Sequence, residues 1–143
     1  MAAVMRKYLF YFVFCLLTQP SMPGFAQEKV QEEAFRPAMD ADGKQRIRIL
    51  GGDYFFKPSH IIVKVNLPVE LSVSLEPGIV PHTLIINAPE AGIAIDKSLS
   101  TDIQTFVFTP KAIGKYPFYC KNKLLFFKSH QEKGMEGILE VVE

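Results

Sequence analysis

The sequence predicts an all-β domain, an antiparallel β-sandwich, and three observations predict it. Apolar and polar residues alternate in short runs, Pro and Gly punctuate those runs, and no long segment keeps a helical period. With 143 residues, 48% hydrophobic and 22% charged, the chain has the size and composition of one globular domain.

The N-terminus stands apart from this pattern. Arg6 and Lys7 precede an apolar run from Tyr8 to Leu17, and small residues follow at Gly24-Phe25-Ala26, so residues 1–26 read as an export signal that cleavage removes. A membrane-spanning helix needs roughly 20 apolar residues, about twice this run, which makes a permanent anchor the weaker reading. The expected location is therefore periplasmic, or otherwise exported. Residues 27–44, crowded with Glu, Asp and Lys and ending near Asp42-Gly43, read as a flexible polar tail. Residues 45–143 form the expected domain.

Within it, strand candidates follow in order. Arg46 to Leu50 comes first, and then Ile61, Val63 and Val65 share one parity. Val69, Leu71, Val73 and Leu75 alternate with Glu70, Ser72, Ser74 and Glu76, which buries one face and wets the other. Further candidates are His82 to Asn87, Ile103 to Thr109, Lys115 to Cys120 and Glu136 to Val142. Asn122 to Lys133 is the one stretch that could form a short helix. Two connections, Ala88 to Thr101 and Lys121 to Gly134, exceed the usual loop length, and long loops in small domains tend to carry function.

A formal net charge of +1, with no long basic run, argues against a nucleic-acid partner. No Ser-His-Asp set, paired-carboxylate motif or phosphate-cradling Gly-rich loop is evident, so catalysis is not the first expectation. After the signal one cysteine remains, Cys120, and a lone thiol in an oxidising compartment calls for an explanation.

Parity supplies one. Tyr116, Phe118 and Cys120 share a strand face whose aromatic members mark it as interior, and His82 shares a face with Leu84 and Ile86. If these strands run antiparallel, His82 meets Cys120 at one pole of the sandwich. Met135 opens the next strand at that pole, and His130 lies in the loop between. Two imidazoles, a thiolate and a thioether suit both Cu(I) and Cu(II), whereas hard-oxygen metals would not select them and zinc, which could occupy them, has no redox chemistry. Each residue also has a plainer reading. A buried cysteine ordinarily packs inertly, His82 and Met135 can fill a core, and a loop histidine needs no special purpose. His60, opposite the Ile61, Val63, Val65 face, reads as a surface residue outside the site. Leu124-Leu125-Phe126-Phe127 reads either as a docking patch for redox partner proteins around Phe126, Phe127 and a partly exposed His130, or as residues pinning a long loop.

The same residues resemble a known family, the cupredoxins or small blue copper proteins. Tyr116-Pro117-Phe118-Tyr119-Cys120 is similar to the family's aromatic strand running into its cysteine ligand. His130-Gln131-Glu132-Lys133-Gly134-Met135-Glu136-Gly137 is similar to its His, four residues, Met, residue, Gly pattern. Phe56-Lys57-Pro58 before Ile61-Ile62-Val63, and Pro81-His82-Thr83-Leu84, resemble its early strands and first histidine. The likeness spans Arg46 to Glu143. Two features depart from the pattern. Nine residues, Lys121 to Ser129, separate Cys120 from His130 where the family has far fewer, and Thr83 stands where an Asn commonly ties the copper loop together. The resemblance implies a Greek-key β-sandwich holding one copper ion through His82, Cys120, His130 and an axial Met135. It implies a monomer that carries single electrons between redox partner proteins. A copper carrier or buffer, or a copper enzyme with an open coordination position, are the alternatives.

Overall fold

The structure, a computed structural model, describes residues 33–143. The signal read over residues 1–26 and the start of the polar stretch lie outside the described residues.

Nine strands follow in chain order: β1 (Gln45–Gly52), β2 (Phe55–Lys57), β3 (His60–Lys64), β4 (Val69–Leu75), β5 (Thr83–Ala88), β6 (Ile93–Ser98), β7 (Gln104–Phe108), β8 (Gly114–Tyr119) and β9 (Glu136–Val142). They form two facing sheets, ordered β2-β1-β4-β7 and β3-β9-β8-β5-β6. The expected sandwich is present. The alternation read from the sequence is the alternation of burial: β4 buries Val69, Leu71 and Val73, and β1 buries Ile47 and Ile49 between exposed Arg46, Arg48 and Leu50. These side chains pack with Ile61, Val63, Leu84, Ile86, Phe118, Leu139 and Val141 in one core. Each large apolar side chain withdrawn from water in this way contributes roughly 1.5–3 kcal/mol.

Three local expectations are corrected. The sheets are mixed, because β1 pairs with β4 and β3 with β9 in parallel, while the other neighbours are antiparallel. The stretch Ala88 to Thr101 is no structureless loop: a 3₁₀ turn at Pro89–Ala91 leads into β6, an edge strand that needs only Ile93 and Ile95 on its inner side. The stretch Asn122 to Lys133 forms only a 3₁₀ turn at Gln131–Lys133, since its apolar residues point outward and offer no helical face to bury.

In its described part, the stretch read as a flexible tail is tied to the sandwich. Phe35 N–H donates to the His60 carbonyl at 2.8 Å and the Phe35 carbonyl accepts from Ile62 at 2.9 Å. Arg46 binds Asp40, Asp42 and Glu70, which fastens the turn at residues 40–43 to β1 and β4. Among the described residues no helix is long and apolar enough to cross a membrane.

Candidate metal centre

The strand ends at one pole decide which side chains meet. β5 and β8 are antiparallel, with Ile85 opposite Tyr119 and Ile86 opposite Phe118, and β8 and β9 are antiparallel, with Tyr119 opposite Glu136. His82 immediately precedes β5, Cys120 immediately follows β8 and Met135 immediately precedes β9. Antiparallel pairing therefore brings these three chain positions together, as parity leads one to expect. Cys120 N–H donates to the Met135 carbonyl at 3.0 Å, and both residues are fully buried.

His130 reaches the same point from the loop. His82 Nδ1 and His130 Nδ1 are 3.1 Å apart, and Cys120 Sγ lies 3.5 Å from His130 Nδ1 and 3.9 Å from His82 Nδ1. One nitrogen from each ring and the sulfur fall within 4.8 Å of one another, so His82, Cys120 and His130 could hold one metal ion. A thiolate and two imidazoles, all nitrogen and sulfur donors with no carboxylate among them, fit a borderline-soft transition metal rather than magnesium or calcium. His60 stays apart, bonded through Nε2 to Glu140 at 2.9 Å on the sheet surface.

The long loop reaches the site without loosening it, because its base is closed. His130 N–H donates to the Asn122 carbonyl at 2.9 Å, and Met135 N–H donates to the His130 carbonyl at 2.9 Å. Asn122 Nδ2 donates to the Pro81 carbonyl at 2.9 Å, and its Oδ1 accepts from Thr83 Oγ1 at 3.0 Å. The extra residues form an excursion from a tied base, and the ligand positions on either side stay fixed.

Thr83 performs the tying. Its hydroxyl accepts from Lys121 N–H at 3.1 Å while donating to Asn122, and its own N–H donates to Cys120 Sγ at 3.3 Å. A hydrogen bond to a ligating sulfur lowers the electron density available to a metal, which raises its reduction potential.

Burial sets the electrostatics. His82 and His130 are only 4% and 5% exposed, which corrects the expectation of a partly exposed His130. Desolvation holds the His82 imidazole below its usual pKa, with a further lowering from His130 and an opposing pull from Asp53. Desolvation and nearby Lys133 lower that of His130. Both rings therefore favour the neutral form that can bind a metal.

Tyr54, like Asn122, is a residue that sequence reasoning missed. Its ring stands edge-on to His130, centroids 5.0 Å apart, and to His82 at 6.4 Å, and the Lys133 ammonium sits 4.1 Å from its centroid. It is a lid over the paired imidazoles. Its left-handed backbone, φ 67°, aims it there, and no pattern in the sequence signals that turn.

The sequence matches no protein-family model and no curated protein. Solved structures do match. The metal-binding domain of the Cu(I)-exporting P-type ATPase of Streptococcus pneumoniae D39 superposes with a TM-score of 0.57 at 23% identity, covering 78% of this chain and 98% of that one. Auracyanin A, a blue copper protein from Chloroflexus aurantiacus, gives 0.51 at 17% identity over 70% of this chain and 100% of its own. The chain has a cupredoxin-like fold. A heme-copper terminal oxidase contributes another neighbour, at 0.55 and 16% identity over 78% of this chain and 74% of that chain. The cupredoxin-like frame thus carries its three clustered donors and Met135 at the ends of β5, β8 and β9 and in the loop between the last two.

Proposed function

We propose that this chain is an exported mononuclear copper protein that carries single electrons between redox partner proteins. His82, Cys120 and His130 would hold the ion, with Met135 supplying a weak thioether. Bound there, copper would supply one-electron Cu(I)/Cu(II) cycling. The observation that carries the reading is the convergence of two imidazoles and a thiol, all buried, on one point of a rigid frame.

The chain's own residues suit that task. Donors fixed by the closed loop base need little rearrangement when the charge of the site changes. The Thr83 N–H on the sulfur tunes the site, and the Tyr54 ring covers the paired imidazoles edge-on. That cover favours a carrier over an enzyme with an open position. The domain division follows the same proposal: a signal over residues 1–26, a polar segment over 27–44 and a copper domain over 45–143.

A second reading, copper delivery or buffering, draws support from the Cu(I)-binding neighbour. Cycling the copper-loaded chain between oxidised and reduced forms in the presence of a chelator separates the two. Retention through many cycles is expected for an electron carrier, and ready loss of the reduced ion would favour delivery.

A further inference from the structure

The loop that closes the metal centre leaves its apolar residues outside. Leu124, Leu125, Phe126 and Phe127 are 64%, 73%, 98% and 61% exposed, so they pin nothing onto the sandwich. Phe127 N–H donates to the Leu124 carbonyl at 3.0 Å, with Leu125 at φ 44°, which makes the four residues the tip of a tight turn. The tip stands on the tied base at Asn122 and His130, and the fully exposed Ile79 is two residues from Pro81, which that base also binds.

Lysines flank the tip on both sides: Lys121 and Lys123 before it, Lys128 and Lys133 after it, against a single glutamate, Glu132. Lys121 is paired with Asp96 at 2.7 Å, Lys133 lies over Tyr54, and the Glu132 carboxylate accepts from Ser129 N–H and Oγ. Lys123 and Lys128, the two next to the apolar residues, form no ion pair among the described residues.

This composition decides the occupant. Protein interfaces enrich Phe as well as Tyr, Trp and Arg, but they are depleted in lysine and seldom anchored by Leu, whereas Leu and Phe flanked by lysine are the make-up of elements that sit in an anionic membrane surface. A convex tip has no groove to complement, but it can enter fluid headgroups. We propose that residues 124–127 insert into the interface of a bilayer bearing anionic lipids, with Lys123 and Lys128 on its headgroups. The inference rests on the loop alone and stands whether or not the centre holds copper.

The chain contains no tryptophan, so Phe126→Trp in the full-length apoprotein places one reporter at the tip. The side chain is almost wholly exposed, and the exchange leaves the fold intact. With phosphatidylglycerol–phosphatidylcholine vesicles the indole emission shifts to the blue and bromine-labelled acyl chains quench it. Adding K123Q/K128Q weakens the vesicle affinity read from the indole shift roughly 30-fold, about fivefold per lysine. Emission unmoved by these vesicles overturns the proposal, even if the chain sediments with them through another segment. An equal shift on pure phosphatidylcholine that K123Q/K128Q leaves alone overturns it too, as does a shift produced only by a partner protein.

Discussion

Replacing Thr83 with valine keeps the shape of a buried side chain and deletes the hydroxyl that ties the start of β5 to the base of the loop after Cys120 at the metal pole. The hydrogen bonds from Lys121 N–H at 3.1 Å and to Asn122 Oδ1 at 3.0 Å go with it, as does the longer contact of the hydroxyl with Cys120 Sγ at 3.6 Å. At about 1 kcal/mol each, with the half-buried Lys121 N–H left unpaired, the apoprotein should lose about 2–3 kcal/mol. For a domain of this size that lowers Tm by roughly 10 °C. Urea and thermal unfolding followed by circular dichroism measure it. Asn122→Ala deletes the same Thr83–Asn122 bond from its other end and also the bond to Pro81. The double variant should therefore fall short of the sum of the two by about 1 kcal/mol. A Thr83→Val loss below about 0.5 kcal/mol, or strict additivity, would refute the idea that this hydroxyl holds the loop base shut.

Three other outcomes follow from the same geometry. Gly137 lies opposite Phe118, and a methyl group there would stand well inside contact distance of the Phe118 ring and the Ser59 carbonyl, so Gly137→Ala should cost about 3 kcal/mol or more in a denaturant titration. Both imidazoles titrate below the usual 6.5 in the fold, so the unfolded chain binds more protons beneath that value. Apoprotein stability should then hold steady above about pH 6.5 and fall as the pH drops below it, with a shallower fall in His130→Asn, as urea midpoints between about pH 7.5 and about pH 5 would report. Under the copper reading, Met135→Leu retains the ion and raises its reduction potential, because a weak donor to the oxidised state is lost, and voltammetry checks the direction.

Much of this was legible in the sequence because it depends on short-range rules. Period-two alternation in residues 69–75 and 136–142 states which side chains face inward, and the same parity turned Cys120 and Leu84 toward the core. The poles followed from antiparallel pairing of β5, β8 and β9. What escaped depends on tertiary context. β6 shows only Ile93 and Ile95 before Asp96 and Lys97, too short an alternation to separate an edge strand from a loop. The parallel partnership of β1 with β4 leaves no trace in either strand, since alternation is blind to strand direction. Asn122 and Tyr54 act through side chains aimed by turns, and nothing in their neighbours' residue types announces where those turns point. The burial of His130 belongs to the same class, because the ring is covered by Tyr54 from a distant stretch.

The central claim, that Cys120 and the two histidines bind one copper ion, is tested most directly by the absorption and paramagnetic resonance spectra of the oxidised, copper-loaded protein beside those of Cys120→Ser. The account predicts an intense thiolate-to-copper charge-transfer band at one copper per chain, abolished in the variant. A band that survives the loss of the sulfur, or a protein that takes up no copper while its fold is intact, would contradict it.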